Sequence, residues 1–202
     1  MMHDERLSSV PALAAFLVLA AGIGCEPAGD GGPEAGEDVS AETSAAAGLP
    51  DTVPIREPGL HPEGIEWDGE RGRFLVSSVT RGTVTSVRDD GSHRTFVEDT
   101  AITSSIGVHI DRTNGRLLVA NSDLAATSDT SLTGQAMLGA YDLTSGERLY
   151  MADMGPLADG RHFANDVTSG PDGTAYVTDS FSPVIYEVSP EGESSVLVRD
   201  ER

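Results

Sequence analysis

Glu63 and Asn165 hold the same place in two copies of a short repeated pattern, immediately before the first residue of a strand-like segment. Ile106 holds that place in the copy between them. A carboxylate and an amide carbonyl are oxygen donors of the kind that a hard cation such as calcium gathers, roughly six to eight at a time. Two such side chains contribute to a coordination shell without completing one. Asp166 follows Asn165 directly. On a regular strand its side chain is expected on the opposite face, so a turn or hydrogen-bonding role suits it as well as a place beside substrate. His61, His109 and His162 stand near the starts of strand-like segments, and His109 and His162 are candidates for lining a substrate pocket. No Ser-His-Asp order with a nucleophile elbow appears, so serine-hydrolase chemistry has no support at this level.

These residues are placed by an internal repeat. Residues 64–78, GIEWDGERGRFLVSS, align without a gap on residues 107–121, GVHIDRTNGRLLVAN, at an offset of 43. A third copy, DVTSGPDGTAYVTD at 166–179, aligns with one deletion, which sets Gly173 against Gly72 and Gly115, and Val177 against Val76 and Val119. Its offset from the second copy is 58, and the excess falls in the polar stretch 122–135, SDLAATSDTSLTGQ, which reads as an inserted, solvated loop carrying Asp123 and Asp129. Each copy has a short apolar strand, a Gly-containing turn, a β-rich strand and one or two more strands divided by turns such as Asp89-Asp90-Gly91 and Ser189-Pro190-Glu191-Gly192. Strands are expected at about 64–67, 73–79, 82–88 and 93–98 in the first copy, and at 174–179, 184–189 and 194–198 in the third. Trp67, alternating with Ile65, is expected in the packed core of its sheet.

Four strands in about 40–45 residues, repeated, mark a β-propeller blade. A β-sandwich would not require self-similarity at this period. The expected fold is therefore all-β, with three blades visible at about 60–99, 102–154 and 162–200, an open or truncated arc. Self-association that closes the ring is the other expected arrangement.

The 202 residues carry 33 acidic and 13 basic side chains, every basic one an arginine, for a formal charge of -20. Such a surface repels phosphate backbones and excludes nucleic acid as a partner. The single cysteine rules out an internal disulfide framework and a Cys-based zinc site.

The motifs that follow carry a resemblance. His61-Pro62-Glu63-Gly64-Ile65-Glu66-Trp67-Asp68 with Gly72-Arg73-Phe74, and Asn165-Asp166-Val167 with the Gly170-Pro171-Asp172-Gly173 turn, resemble the senescence marker protein, gluconolactonase and luciferin-regenerating enzyme family over about residues 54–200. The resemblance implies the N-terminal half of a six-bladed, lactonase-type propeller. It implies a metal-dependent hydrolase with one divalent cation, commonly calcium, in the central channel and a lactone or related small molecule as substrate. Glu63 would take the place of the family's first metal-binding glutamate, and Asn165 that of its channel asparagine, which binds metal or substrate. Further ligands would come from later blades, so the expected function is either a calcium-dependent lactonase or ester hydrolase, inactive if those ligands are missing, or a non-catalytic propeller fragment or binding module. The general base is not identified.

At the other end of the chain, residues 10–23, VPALAAFLVLAAGI, form an apolar run too short to span about 30 Å of hydrocarbon and suited to a signal peptide. The run ends at Gly24-Cys25, which resembles a bacterial lipobox, with Gly22 where leucine is usual and an n-region, His3-Asp4-Glu5-Arg6, that is not net positive. Residues 1–24 are thus expected to direct export, with Cys25 as the lipidated N-terminus of a cell-envelope lipoprotein, or else simple secretion. Contact with the membrane would be through that lipid anchor alone. Residues 25–50 hold six acidic side chains and no basic one and read as a disordered tether, followed by the partial propeller at 51–202.

Overall fold

A computed structural model describes residues 50–200. The chain builds three mainly antiparallel sheets, one per sequence repeat. The first orders β1 (Ile65–Asp68), β2 (Arg73–Ser78), β3 (Thr83–Val87) and β4 (His93–Glu98) as a meander. The second holds β5 (Ser104–Asp111), β6 (Arg116–Ser122), β8 (Met137–Asp142) and β9 (Arg148–Asp153). The third runs β10 (His162–Ser169), β11 (Ala175–Asp179), β12 (Val184–Val188) and β13 (Ser194–Arg199). These are three blades of a β-propeller, and the strands expected from turn chemistry and alternation lie within one or two residues of those observed.

Local chemistry explains the repeat. The β1–β2 and β5–β6 turns close through Gly72 and Gly115, at φ of 58° and 61°, a left-handed conformation that glycine adopts without steric cost. Alternation then sends one row of each sheet toward its neighbour. Leu75, Val84 and Val97 of blade 1 pack with Val108, Ile110, Leu117 and Tyr141 of blade 2. Leu118, Leu138 and Ala140 from the other face of blade 2 pack with Val167, Val177, Tyr186 and Val188 of blade 3. Two buried arginines tie these layers at one end. Arg73 Nε donates to Asp68 Oδ2 at 2.9 Å while its Nη2 reaches the Leu143 carbonyl of blade 2 at 2.6 Å. One repeat later, Arg116 Nε donates to Asp111 Oδ2 at 2.8 Å and its Nη1 to the Pro190 carbonyl of blade 3 at 2.8 Å. Thr174 stands at the matching place in blade 3 and bonds Asp172 of its own turn.

One expectation is refined and one corrected. The insertion 122–135 is exposed over 127–133, as expected of a solvated loop, but has local structure on either side. A 3-10 turn, Leu124–Thr127, is capped by Asp123, buries Ala126 completely, and leads to β7 (Gly134–Gln135), which pairs in parallel with β10. Asp129 is spent on Ser131 of the same loop. Trp67 lies outside the packed core, 39% exposed with Ile65 at 64%, because both point to the face of blade 1 turned away from blade 2. Residues 53–60 cover part of that face, with Leu60, Val53 and Ile55 against Val76 and Val87, and Trp67 rests on Phe74 at 4.6 Å between ring centroids. The expected signal segment, Cys25 and the tether lie outside the described residues. Among the described residues no helix is long and apolar enough to cross a membrane.

Candidate functional site

The inner strands β1, β5 and β10 lie side by side and present the candidate residues at two levels. The upper level is set by two glycines. A Cβ on Gly64 would fall 2.7 Å from the Ile106 carbonyl, and one on Gly107 would fall 2.6 Å from the Asn165 carbonyl and 2.7 Å from Asp166 Oδ1. The strands approach this closely only because no side chain stands between them. Glu63, Ile106 and Asn165, one residue before Gly64, Gly107 and Asp166, are thereby level around the channel. Asp166 takes the glycine place in blade 3.

Strict alternation does not hold at this level. The β5–β6 register shifts between Ser105 and Val108, and the β10–β11 register between Ala164 and Val167, so Ile106-Gly107 and Asn165-Asp166 are equivalent β-bulges. A bulge inserts an unpaired residue and re-aims side chains, so regular alternation does not govern Asn165 and Asp166. The pKa of Glu63 is raised, first by loss of solvation and second by the negative charge of Asp166 across the mouth. Asp166 itself accepts the Val167 N–H at 2.9 Å, and its own N–H donates to Thr178 Oγ1 at 3.1 Å. Asn165 Nδ2 donates to Ser180 Oγ at 2.7 Å, which fixes the plane of the amide. Ile106 is buried and contributes no donor. Among the described residues no three His, Cys, Asp or Glu side chains converge as a metal-holding group.

The lower level joins all three blades through one imidazole. His109 Nδ1 lies 3.1 Å from Glu66 Oε1 and its Nε2 lies 3.1 Å from Ser169 Oγ. Side chains of His109 and Glu66 remain 27% and 29% exposed, so the line is open to solvent and to a small solute. Neither Glu66 nor Ser169 was singled out from sequence. The signal was there in part: Glu66 and His109 stand 43 apart, the repeat offset, and equivalent inner-strand positions of adjacent blades are neighbours in a propeller.

His162 has a different setting. It is 6% exposed, with Nδ1 on Asp179 Oδ2 at 2.9 Å, and the Tyr186 hydroxyl donates to the same oxygen at 3.2 Å. Asp179 Oδ1 also accepts the N–H groups of Phe163, Phe181 and Ser182. Burial and the Asp179 charge push the Tyr186 phenol well above its ordinary range. This network pins the head of β10 to the end of β11.

No family model and no curated protein matches the chain. Solved structures do resemble it. A streptogramin B lyase superposes with a TM-score of 0.56 at 14% identity, over 74% of this chain and 44% of the lyase. Virginiamycin B lyase from Staphylococcus aureus superposes with a TM-score of 0.54 at 15% identity, over 73% and 44%. The chain spans less than half the length of these structures, and identities this low speak for architecture alone. The geometry and the likenesses agree on one conclusion: this is a β-propeller protein with three described blades.

Proposed function

We propose that the upper level of the channel binds a divalent cation, calcium by preference, and that the chain carries part of the site of a lactonase-type propeller hydrolase. The observation that supports this reading is that Gly107, packed against the backbone of Asn165 and Asp166, lets the Asp166 carboxylate stand close enough to Glu63 to raise its pKa. The donor set of Glu63, Asn165 and Asp166 suits a hard cation, since all three offer oxygen and the two carboxylates repel one another until a positive charge is shared between them. When bound, the cation would polarise the carbonyl of a lactone or related ester. Glu63 and Asp166 would hold it, and Asn165, fixed by Ser180, would orient metal or substrate. Three side chains leave coordination places for water, substrate and any further protein ligands. Export and attachment through a lipid on Cys25 belong to the same proposal and rest on the sequence.

Calcium titration of the full chain followed by calorimetry tests it. Saturable binding that Glu63→Gln weakens at least tenfold is the expected result. Binding unchanged in Glu63→Gln and Asp166→Asn would sink the reading and favour a non-catalytic binding module.

A further inference from the structure

A second chemistry lies at the lower level, independent of the cation reading. A carboxylate accepts hydrogen bonds and cannot donate them, so the contact with Glu66 places the imidazole proton of His109 on Nδ1. The lone pair of Nε2 then faces Ser169 Oγ at 3.1 Å. This is the tautomer and the order of contacts that activate a serine hydroxyl: nucleophile to base, base to an orienting carboxylate. The three groups come from three different blades, so their meeting is a product of the tertiary fold.

We propose that Ser169 is an activated nucleophile, with His109 as its base and Glu66 as the positioning residue, and that the site takes an acyl group from a small ester. Ser169 Oγ bonds to the ester carbonyl carbon while its proton passes to His109 Nε2. Collapse of the tetrahedral adduct breaks the bond to the alcohol oxygen, which takes that proton from Nε2. Water then attacks the acyl carbon, gives a proton to Nε2, and releases the carboxylic acid as the Ser169 hydroxyl is restored. The substrate class is an uncharged or cationic ester, because the Glu66 carboxylate, 3.1 Å from His109 Nδ1, would repel an anion. The Gly170 N–H, beside the nucleophile, is committed to the Thr174 carbonyl at 2.8 Å, and Pro171 has none, so neither of the two residues after Ser169 offers an oxyanion donor. The acceleration expected is therefore that of the base, about 10²–10⁴-fold over a free serine, rather than that of a complete hydrolase.

The probe is a neutral alkyl fluorophosphonate, which forms a serine–phosphorus bond with loss of fluoride, applied to the full chain and read by peptide mass mapping. Ser169 is expected to carry the label in wild type. Label should persist with EDTA, vanish in Ser169→Ala, and form at least a hundredfold more slowly in His109→Gln. Wild-type protein that leaves Ser169 unlabelled, or His109→Gln that labels at the wild-type rate, would overturn the proposal. Because a variant can fail to fold, ¹⁵N NMR of wild-type His109 provides a second reading. The Nδ1–H tautomer is expected, and it should be lost in Glu66→Ala. An Nε2–H tautomer in wild type would overturn the assignment of His109 as base. Failure here leaves calcium binding untouched, and failure of calcium binding leaves the label untouched.

Discussion

Arg116 and Asp111 form a buried ion pair, Nε to Oδ2 at 2.8 Å with side chains 3% and 1% exposed, and the same guanidinium crosses to blade 3 through the Pro190 carbonyl. The pair therefore fixes a turn and joins two blades at once. Removing the arginine strands Asp111 without its charge partner. Arg116→Ala is expected to cost about 3–5 kcal/mol, the usual penalty for breaking a buried pair. Urea unfolding should show a lower midpoint with an unchanged slope, and the double variant Asp111→Leu with Arg116→Met should recover much of the loss.

Acid sensitivity follows from the same residue. Burial would raise the pKa of Asp111, but hydrogen bonds from Asn114 and Arg116 outweigh it, and the folded-state value is lowered. A carboxylate depressed in the folded state contributes stability that is present above its unfolded pKa of about 3.9 and is lost as pH falls through the folded value. Thermal unfolding followed from pH 7 downward should hold its midpoint until near pH 4 and then drop, and Asp111→Asn should flatten that acid limb.

Glu63 has the opposite sign. Its pKa is raised by desolvation and by Asp166, so the ionised form is disfavoured in the folded state and the strain eases as pH falls through the raised value. Without calcium, Glu63→Gln is expected to leave the melting temperature at pH 7 equal to or slightly above wild type. With calcium in hundredfold excess over its dissociation constant, wild type should gain about 2.7 kcal/mol of stability and a variant weakened tenfold or more at most about 1.4 kcal/mol. Paired melts with calcium and with EDTA check both.

Gly107→Ala is expected to be far worse than Gly115→Ala. A Cβ at Gly107 meets the backbone of Asn165 and Asp166 at 2.6 and 2.7 Å, and backbone cannot rotate aside. At Gly115 nothing lies within 4 Å, and only the φ of 61° resists a side chain. Overpacking should cost about 1–3 kcal/mol or more at Gly107, against about 1 kcal/mol of left-handed strain at Gly115. Gly107→Ala should also weaken calcium binding, since it pushes β10 away from β5, and calorimetry on both variants separates the two effects.

Local chemistry determined much of this protein. Gly72, Gly115 and Gly173 mark the turns, strand alternation marks the sheets, and self-similarity at an offset of 43 marks the blades, because turn and strand preferences depend on neighbouring residues. Glu63 and Asn165 were legible as a pair for the same reason, since equal places in a repeat become equal heights in a propeller. The tertiary structure alone decided the rest. Asp166 stands near enough to Glu63 for their charges to interact, beside a bulge that depends on the partner strand. The loop 122–135 ends in a strand because β10, distant in sequence, supplies its pairing partner. Ser169 meets His109 across a separation of 60 residues, and no local pattern encodes a contact made only when two blades stack. The turns and strands could be read from the chain because their causes are local, whereas the meeting of side chains from different blades is set by packing between sheets.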